Sequence, residues 1–428
     1  MTADSEPSGV FEPDMGPSFE MALEDAVVQA LRHNVSLVVE RFARSRELLG
    51  VQEAMGIYDF NLTADTAVSS DSRPTSSVLE EADILTTDTT QWNFGLRRLT
   101  RWGGTASLSF NNSRRESTNQ FDQPNPRFSV NWGLSFTQPL LQGYGQEVTE
   151  RDIVVARNNT QINRETFRLQ VENVVQQVSD VYWDLVGAKE QLAVAEQSLE
   201  LAKELHEMNR IQVDVGTKAP LEMVQSEAGV ARREEDIIRR QQTVADAEDN
   251  LRRLLNVAAG ALWDVPIVPV TPPEISHEPI DVAGAVEQAF STRADVIQQE
   301  LRNRTAELDA KVAQNRRRPS LDVTAGYGLN AIAGDSDFVD AATGERIQSS
   351  TDYGDALDSI LDGEFDGWQI SVEFAMPLEN RAAKARAAQA ELFVQQGVWQ
   401  LRDLQNTVRL DVRRTARAVE TANKSIES

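Results

Sequence analysis

The chain has 428 residues with a hydrophobic fraction of 40%, enough to bury a sizeable core, which sets general disorder aside. Asp and Glu number 67 against 42 Lys and Arg, a net charge of −25; phosphate binding needs clustered cations, so no nucleic-acid partner is expected. Cys is absent, which removes disulfides, thiolate catalysis and cysteine-based zinc sites.

Residues 1–17 contain no Lys or Arg and no apolar core, so they read as a disordered segment without a secretory signal. Either a signal was trimmed or the protein is not exported. Nowhere is there an apolar run of about 18 residues, so any membrane crossing falls to strands. Residues 18–58 read as helical and 59–140 as strands. In that zone Val130, Trp132, Leu134 and Phe136 alternate with Ser129, Asn131, Gly133 and Ser135, and Phe60, Leu62 and Ala64 form a second run. Two further strand-like stretches, 92–99 and 105–111 within an extra pair at about 92–111, flank Gly103-Gly104; they either enlarge the sheet or sit beyond it. Trp92, Phe94, Trp102, Phe110, Phe128, Trp132, Phe136 and Tyr144 crowd this zone as interfacial girdles would.

Residues 141–256 read as a long helical hairpin. Its first seam steps by three and four through Val171, Val174, Val178, Val181, Leu185, Ala188, Leu192, Ala195, Leu199 and Ala202. A second series runs Met223, Val230, Ile237, Val244, Leu251, and Gly216 and Pro220 punctuate the fold-back. The ascending helix would be roughly 95 Å long at about 1.5 Å per residue. After a linker at 257–279, the pattern returns: 280–317 helical, 318–378 strands, 379–428 the start of a second hairpin. Ala26-Val27-x-Gln29-Ala30 recurs as Ala285-Val286-x-Gln288-Ala289, an offset of 259, and Phe136-Thr-Gln-Pro139-Leu140 recurs as Phe374-Ala-Met-Pro377-Leu378, an offset of 238. The 21 extra residues of the first copy fall between its outer strands, and the second copy reads as lacking its final helical part. Leu321 to Leu329 alternate with Asp322, Thr324, Gly326 and Gly328, and Trp368, Ile370, Val372, Phe374 and Met376 complete four principal strands. The alternation alone fits a soluble sandwich as well as a membrane wall with Val130, Trp132, Leu134, Phe136, Trp368, Ile370, Val372 and Phe374 on lipid. Four strands cannot close a membrane barrel, for which about eight is the minimum, so lipid-facing strands would need other copies.

Helix, strands and long hairpin, repeated twice, resemble the TolC-like outer-membrane efflux protein family. Thr292-Arg-Ala-Asp295-Val296 is similar to the family's Arg-Pro-Asp-Leu stretch; Arg318-Pro319-Ser320-Leu321 resembles its strand entry and Gln138-Pro139-Leu140-Leu141 its strand exit. Val215-Gly216-Thr217, with Glu222 at Gly+6, resembles its hairpin tip, which usually carries Asp at that last position. The resemblance implies an α+β membrane protein built from two internal repeats: a homotrimer whose transmembrane β-barrel of 12 strands continues into an α-helical coiled-coil barrel. It further implies an outer-membrane location in a Gram-negative-type bacterium with a large periplasmic part. A periplasmic adaptor (membrane fusion) protein would dock at Val215, Gly216 and Thr217 and bridge to an inner-membrane RND or ABC-type pump. Pro139 and Pro377 would mark the strand-to-helix junctions.

At the tip, Gly216 is expected in a backbone conformation closed to other residues, with Thr217 capping the descending helix. Glu222 would either pair with a cation of a neighbouring hairpin to close the tunnel or complement its own helix N-terminus. A coiled-coil scaffold is the competing reading of the hairpin. No enzyme is expected, nor any cofactor or metal: His33, His206 and His277 lie far from one another and from carboxylates at ligand spacing. Gly143-Tyr144-Gly145 reads as a turn into a helix, and Arg316, Arg317 and Arg318 as a helix end.

Overall fold

The computed structural model describes residues 18–74, 84–119, 121–258, 261–274, 279–339 and 344–427; segment 1–17 and His277 lie outside them. In chain order the elements begin with β1 (Phe19–Met21), α1 (Leu23–His33), α2 (Val35–Met55), β2 (Asn61–Pro74), β3 (Ile84–Leu99), β4 (Thr105–Ser117) and β5 (Arg127–Pro139). The short α3 (Gln146–Thr149) leads into α4 (Arg151–Asp214), followed by α5 (Pro220–Leu255) and β6 (Ile267–Pro269). Then come α6 (Val282–Thr292), α7 (Ala294–Asn315), β7 (Ser320–Val339), β8 (Arg346–Ser350), α8 (Tyr353–Asp362), β9 (Asp366–Ala375) and α9 (Arg381–Glu427). The chain divides into two units, Met1–Leu48 with Thr160–Gln298 and Asp403–Ser428, and Leu49–Asn159 with Gln299–Arg402.

In the first unit the hairpin seam supplies the core. Val174, Val178, Leu185 and Leu251 are fully buried with Met21, Ala26, Ala30, Leu37 and Leu255. Each such leucine contributes about 1.5–3 kcal/mol of hydrophobic stabilisation. Tyr182 lies in the same core; its hydroxyl donates to the Met21 carbonyl (3.0 Å) and accepts from the Thr271 N–H (3.0 Å). That pair of bonds fastens the end of β1 to the chain just after β6, and β1 and β6 form a two-stranded parallel sheet. The linker therefore carries a strand that its sequence does not announce. Arg252 is buried beside Glu248 (3.0 Å), and its guanidinium donates to the Val265 carbonyl (2.7 Å) while Glu248 also meets Lys189 (3.1 Å). Glu248 also accepts from the Ile267 N–H (3.3 Å), so the pair holds the segment around 265–267 against α5, while the buried Arg252 Nε has no partner among the described residues.

Helix breaks fall at matching spacings. Asn34, extended between α1 and α2, and Arg293, extended between α6 and α7, are 259 residues apart, as are the starts of β2 and β7. Arg316, Arg317 and Arg318 follow the end of α7 in a turn.

The second unit holds the large sheet, ordered β2-β3-β4-β5-β7, with β9 pairing the first half of β7 and β8 its far end, all antiparallel. The stretches 92–99 and 105–111 thus belong to strands inside the sheet, between β2 and β5. Segment 318–378, expected as strands alone, contains a helix. α8 carries a capping box between Asp352 and Asp355 and ends on Gly363 at φ 68. Its Ala356 and Ile360 pack on Val130, Ala331 and Ala333, and the Tyr353 ring lies edge-on to Trp92 at 5.3 Å.

Candidate functional site

The side-chain period of two, carried across six long strands in register, gives the sheet two unlike faces. One row crosses it as Leu62, Leu96, Leu108, Leu134, Tyr327 and Trp368; the next as Ala64, Phe94, Phe110, Trp132 and Leu329. Between them, on the opposite face, runs Thr63, Gly95, Ser109, Gly133, Gly328 and Gly367, followed by Asp65, Asn93, Asn111, Asn131 and Asn330. An apolar face backed by small and polar side chains suits a wall with lipid on one side and water on the other. Leu321 to Leu329 on β7 covers a height of about 21 Å at a rise of about 3.4 Å and a tilt of about 40°, near the roughly 25 Å apolar band of such walls.

The residues expected on lipid differ in exposure. Trp368, Ile370, Val372 and Phe374 are exposed along β9, as are Leu134 and Phe136 on β5. Val130 is fully buried beneath α8, and Trp132 packs against the same cluster. Val130 therefore faces a helix of its own chain, because α8 covers the apolar face at the end of the strands remote from Pro139. The Asp352-x-x-Asp355 pair and Gly363 were the available signals for that helix.

At the other end of the strands, the β3–β4 turn is fastened to the strand-to-helix junction. Trp102 offers its carbonyl to the Gln138 amide (3.1 Å) and to the Gly145 N–H (3.3 Å), and Arg98 donates to the Tyr58 carbonyl (3.1 Å). Gly103 has φ +85, and a β-carbon there would come within 2.4 Å of the Gly143 carbonyl oxygen. Glu150 accepts from Gln146 (2.8 Å) and from the Tyr58 hydroxyl (3.1 Å), and the Gln146 bond holds its carboxyl below the usual range. Burial pushes the Tyr58 phenol up. Pro139 ends β5, and Pro377 follows β9 by two residues. Gly143 and Gly145, both at positive φ, turn the chain into α3.

The hairpin tip closes α4 with a Schellman motif. The Gly216 N–H reaches the Val213 carbonyl (2.9 Å), the Thr217 N–H reaches Gln212 (2.9 Å), and Gly216 has φ +75 with open space around it. Thr217 does not cap the descending helix: its hydroxyl donates back to Gln212 (2.8 Å), while α5 starts from Ala219 without a side-chain cap and with Pro220 in its first turn. The N-cap position is Ala219, two residues beyond Thr217, and its methyl side chain has no oxygen to accept from the first-turn N–H groups. Val215 is exposed, and Glu222 lies exposed in the first turn of α5. His206 bonds Ser226 across the hairpin (3.0 Å), and no metal-binding group of His, Asp and Glu occurs among the described residues.

The sequence profile of the family described as outer membrane efflux protein matches residues 103–257, from the β3–β4 turn through the whole hairpin. This stretch is similar to the outer membrane efflux protein family. The fold agrees with solved structures across nearly the whole chain. A membrane protein from Pseudomonas aeruginosa superposes with a TM-score of 0.62 at 15% identity, covering 94% of this chain and 77% of that one. CusC, solved with reference to transmembrane channel formation, gives 0.61 at 16% identity over 98% and 81%. The outer membrane protein VceC of Vibrio cholerae gives 0.56 at 14% over 90% and 75%. No curated protein sequence matches the chain. Among the described residues no helix is long and apolar enough to cross a membrane.

Proposed function

We propose that the chain is a protomer of a trimeric exit duct in the outer membrane, conducting substrates passively from the periplasm after docking to an adaptor and an inner-membrane pump. The observation that carries this is the two-faced sheet, apolar on every strand along one side, spliced at Pro139 through one short turn to a helix of 64 residues. Its edges, β2 and β9, are exposed along their whole length, and six long strands are fewer than the about eight that close a barrel. Copies of the chain supply the missing neighbours. The polar face, with its asparagine row, lines water; Leu134, Phe136, Trp368, Ile370, Val372 and Phe374 meet lipid.

Docking falls to the hairpin tip at Val215, Gly216 and Thr217. Its turn is self-sufficient in backbone bonding, which leaves the Val215 side chain free to contact an adaptor. Glu222 has no ion-pair partner among the described residues, which fits either a link to a neighbouring hairpin or a charge at its helix N-terminus. The purified protein in planar bilayers is expected to conduct as a trimer; a monomeric, non-conducting protein would overturn the reading. Glu222→Gln raises resting conductance if the acid closes the tunnel, and leaves it unchanged if it serves the helix alone.

A further inference from the structure

We infer that β3 and β4 are part of the channel wall itself, so that each subunit contributes six strands and a trimer closes at 18 strands, wider than the 12 that the family resemblance implies. The inference rests on the proposed function above and specifies the geometry of its membrane portion.

Three independent features place the pair in the wall. Their apolar side chains occupy the same rows as the flanking strands: Leu96 and Leu108 stand between Leu62 and Leu134, Phe94 and Phe110 between Ala64 and Trp132. Their other faces continue the small and polar rows with Gly95, Ser109, Asn93 and Asn111. A hairpin standing beyond the membrane would have no need of two such faces.

Second, the β3–β4 turn is seated at the level where β5 hands the chain to the helices. Trp102, Gly103 and Gly104 meet Gln138, Gly143 and Gly145 there, so the hairpin spans the same height as β5 and cannot project past one rim. The turn sends the chain straight back into β4 without a helix. The insertion therefore widens the strand wall while adding nothing to the helical part.

Third, strand directions allow closure. Antiparallel pairing alternates from β2 through β3, β4, β5 and β7 to β9, which leaves β2 and β9 running in opposite senses. The β9 edge of one copy can pair antiparallel with the β2 edge of the next, a head-to-tail contact that closes into a ring without a parallel seam. With strands about 4.8 Å apart and tilted about 40°, 12 strands give a backbone radius of about 12 Å and 18 give about 18 Å.

Cysteine-free sequence makes the test direct. Leu96→Cys, Leu108→Cys, Leu134→Cys and Ser109→Cys, each spin-labelled in protein reconstituted in lipid, are compared for collision with oxygen, which favours lipid, and with a water-soluble nickel chelate. The expected result is oxygen dominance at Leu96, Leu108 and Leu134 and chelate dominance at Ser109, with a barrel about 36 Å across between backbones in electron micrographs of the same sample. Lipid contact at Leu134 but chelate dominance at Leu96 and Leu108, or a barrel about 24 Å across, overturns the inference and leaves the channel standing. Chelate dominance at all four sites overturns the channel reading as well.

Discussion

Between Asn61 and Pro139 the chain crosses the sheet four times; between Ser320 and Ala375 it crosses twice, and β8 and α8 stand in the chain between β7 and β9 where β3 and β4 stand between β2 and β5. The outer strands of both halves carry the same alternation, so the difference lies in what joins them. Trp92, Phe94 and Leu96 repeat every second residue and extend the sheet, whereas Tyr353, Ala356, Leu357 and Ile360 step by three and four behind a capping box and form a helix. One insert widens the sheet. The other folds over its apolar face and takes Val130 out of reach of any external surface. The hydrophobic period separates strand from helix in the two inserts.

Removing the anchor of the helical insert gives the largest effect. The Tyr353 ring packs against Trp92 and Phe128, and its hydroxyl donates to Asn112 (2.8 Å). Tyr353→Ala is expected to destabilise the sheet by about 3 kcal/mol, as loss of a packed aromatic does. Thermal unfolding in detergent measures it; an unchanged melting temperature would show that α8 rests on the sheet without holding it.

The strand insert has its own weak point. Gly103→Ala forces a β-carbon into a positive-φ turn against the Gly143 carbonyl, and about 2 kcal/mol of destabilisation is expected. Gly216→Ala, at a similar φ but in open space, is expected to cost only about 1 kcal/mol. Limited proteolysis separates the halves: cleavage between β3 and β4 with β7 and β9 protected confirms that the insert fails first.

Much of this was legible in the residues. Period-two runs located the apolar faces of four of the six long strands, and heptad steps located α4 and α5, because both patterns are set by local geometry. β1 and β6 were not, since three-residue strands 248 residues apart show no period, and only the buried Tyr182 hydroxyl ties their region together. Whether β3 and β4 joined the sheet was equally hidden, because membership depends on neighbours and not on the strand's own alternation. At the tip, Gly216 was readable from its residue type. The role of Thr217 was not, because Pro220 reassigns the start of α5 and the hydroxyl turns back to Gln212.

A finer cut asks how firmly the helical insert is tied to the strand insert. Tyr353→Phe keeps the ring and removes only the hydroxyl that Asn112 accepts from. Asn112 is almost fully buried on β4, so the orphaned oxygen is expected to cost about 1–2 kcal/mol. Asn112→Ala combined with Tyr353→Phe should cost less than the sum of the two single changes. Additive losses would mean that the bond links the inserts only in geometry.

The smallest effect concerns the acid beneath the strand insert, and pH isolates it. Glu150 accepts from Gln146 and Tyr58 and lies 3.7 Å from Arg101, the residue that opens the β3–β4 turn. These partners favour the charged carboxylate, the Gln146 bond most, and burial opposes them without prevailing, so its pKa falls below the ordinary value. A carboxyl depressed on folding adds stability that is fully present above its unfolded pKa of about 4.3 and disappears as pH falls through the folded value. Glu150→Gln should therefore melt below the unaltered protein at pH 7 and approach it under acid conditions. Arg101 is largely exposed, and solvent screening keeps the difference under about 1 kcal/mol. The same substitution should leave α8 and the β7–β9 pairing untouched, so protection of the second half against proteolysis stays constant across the titration. A gap between the two melting curves that widened toward acid would mean that Glu150 is held protonated in the folded protein, and that the turn of the strand insert is secured by a neutral acid donating to Tyr58 or Gln146.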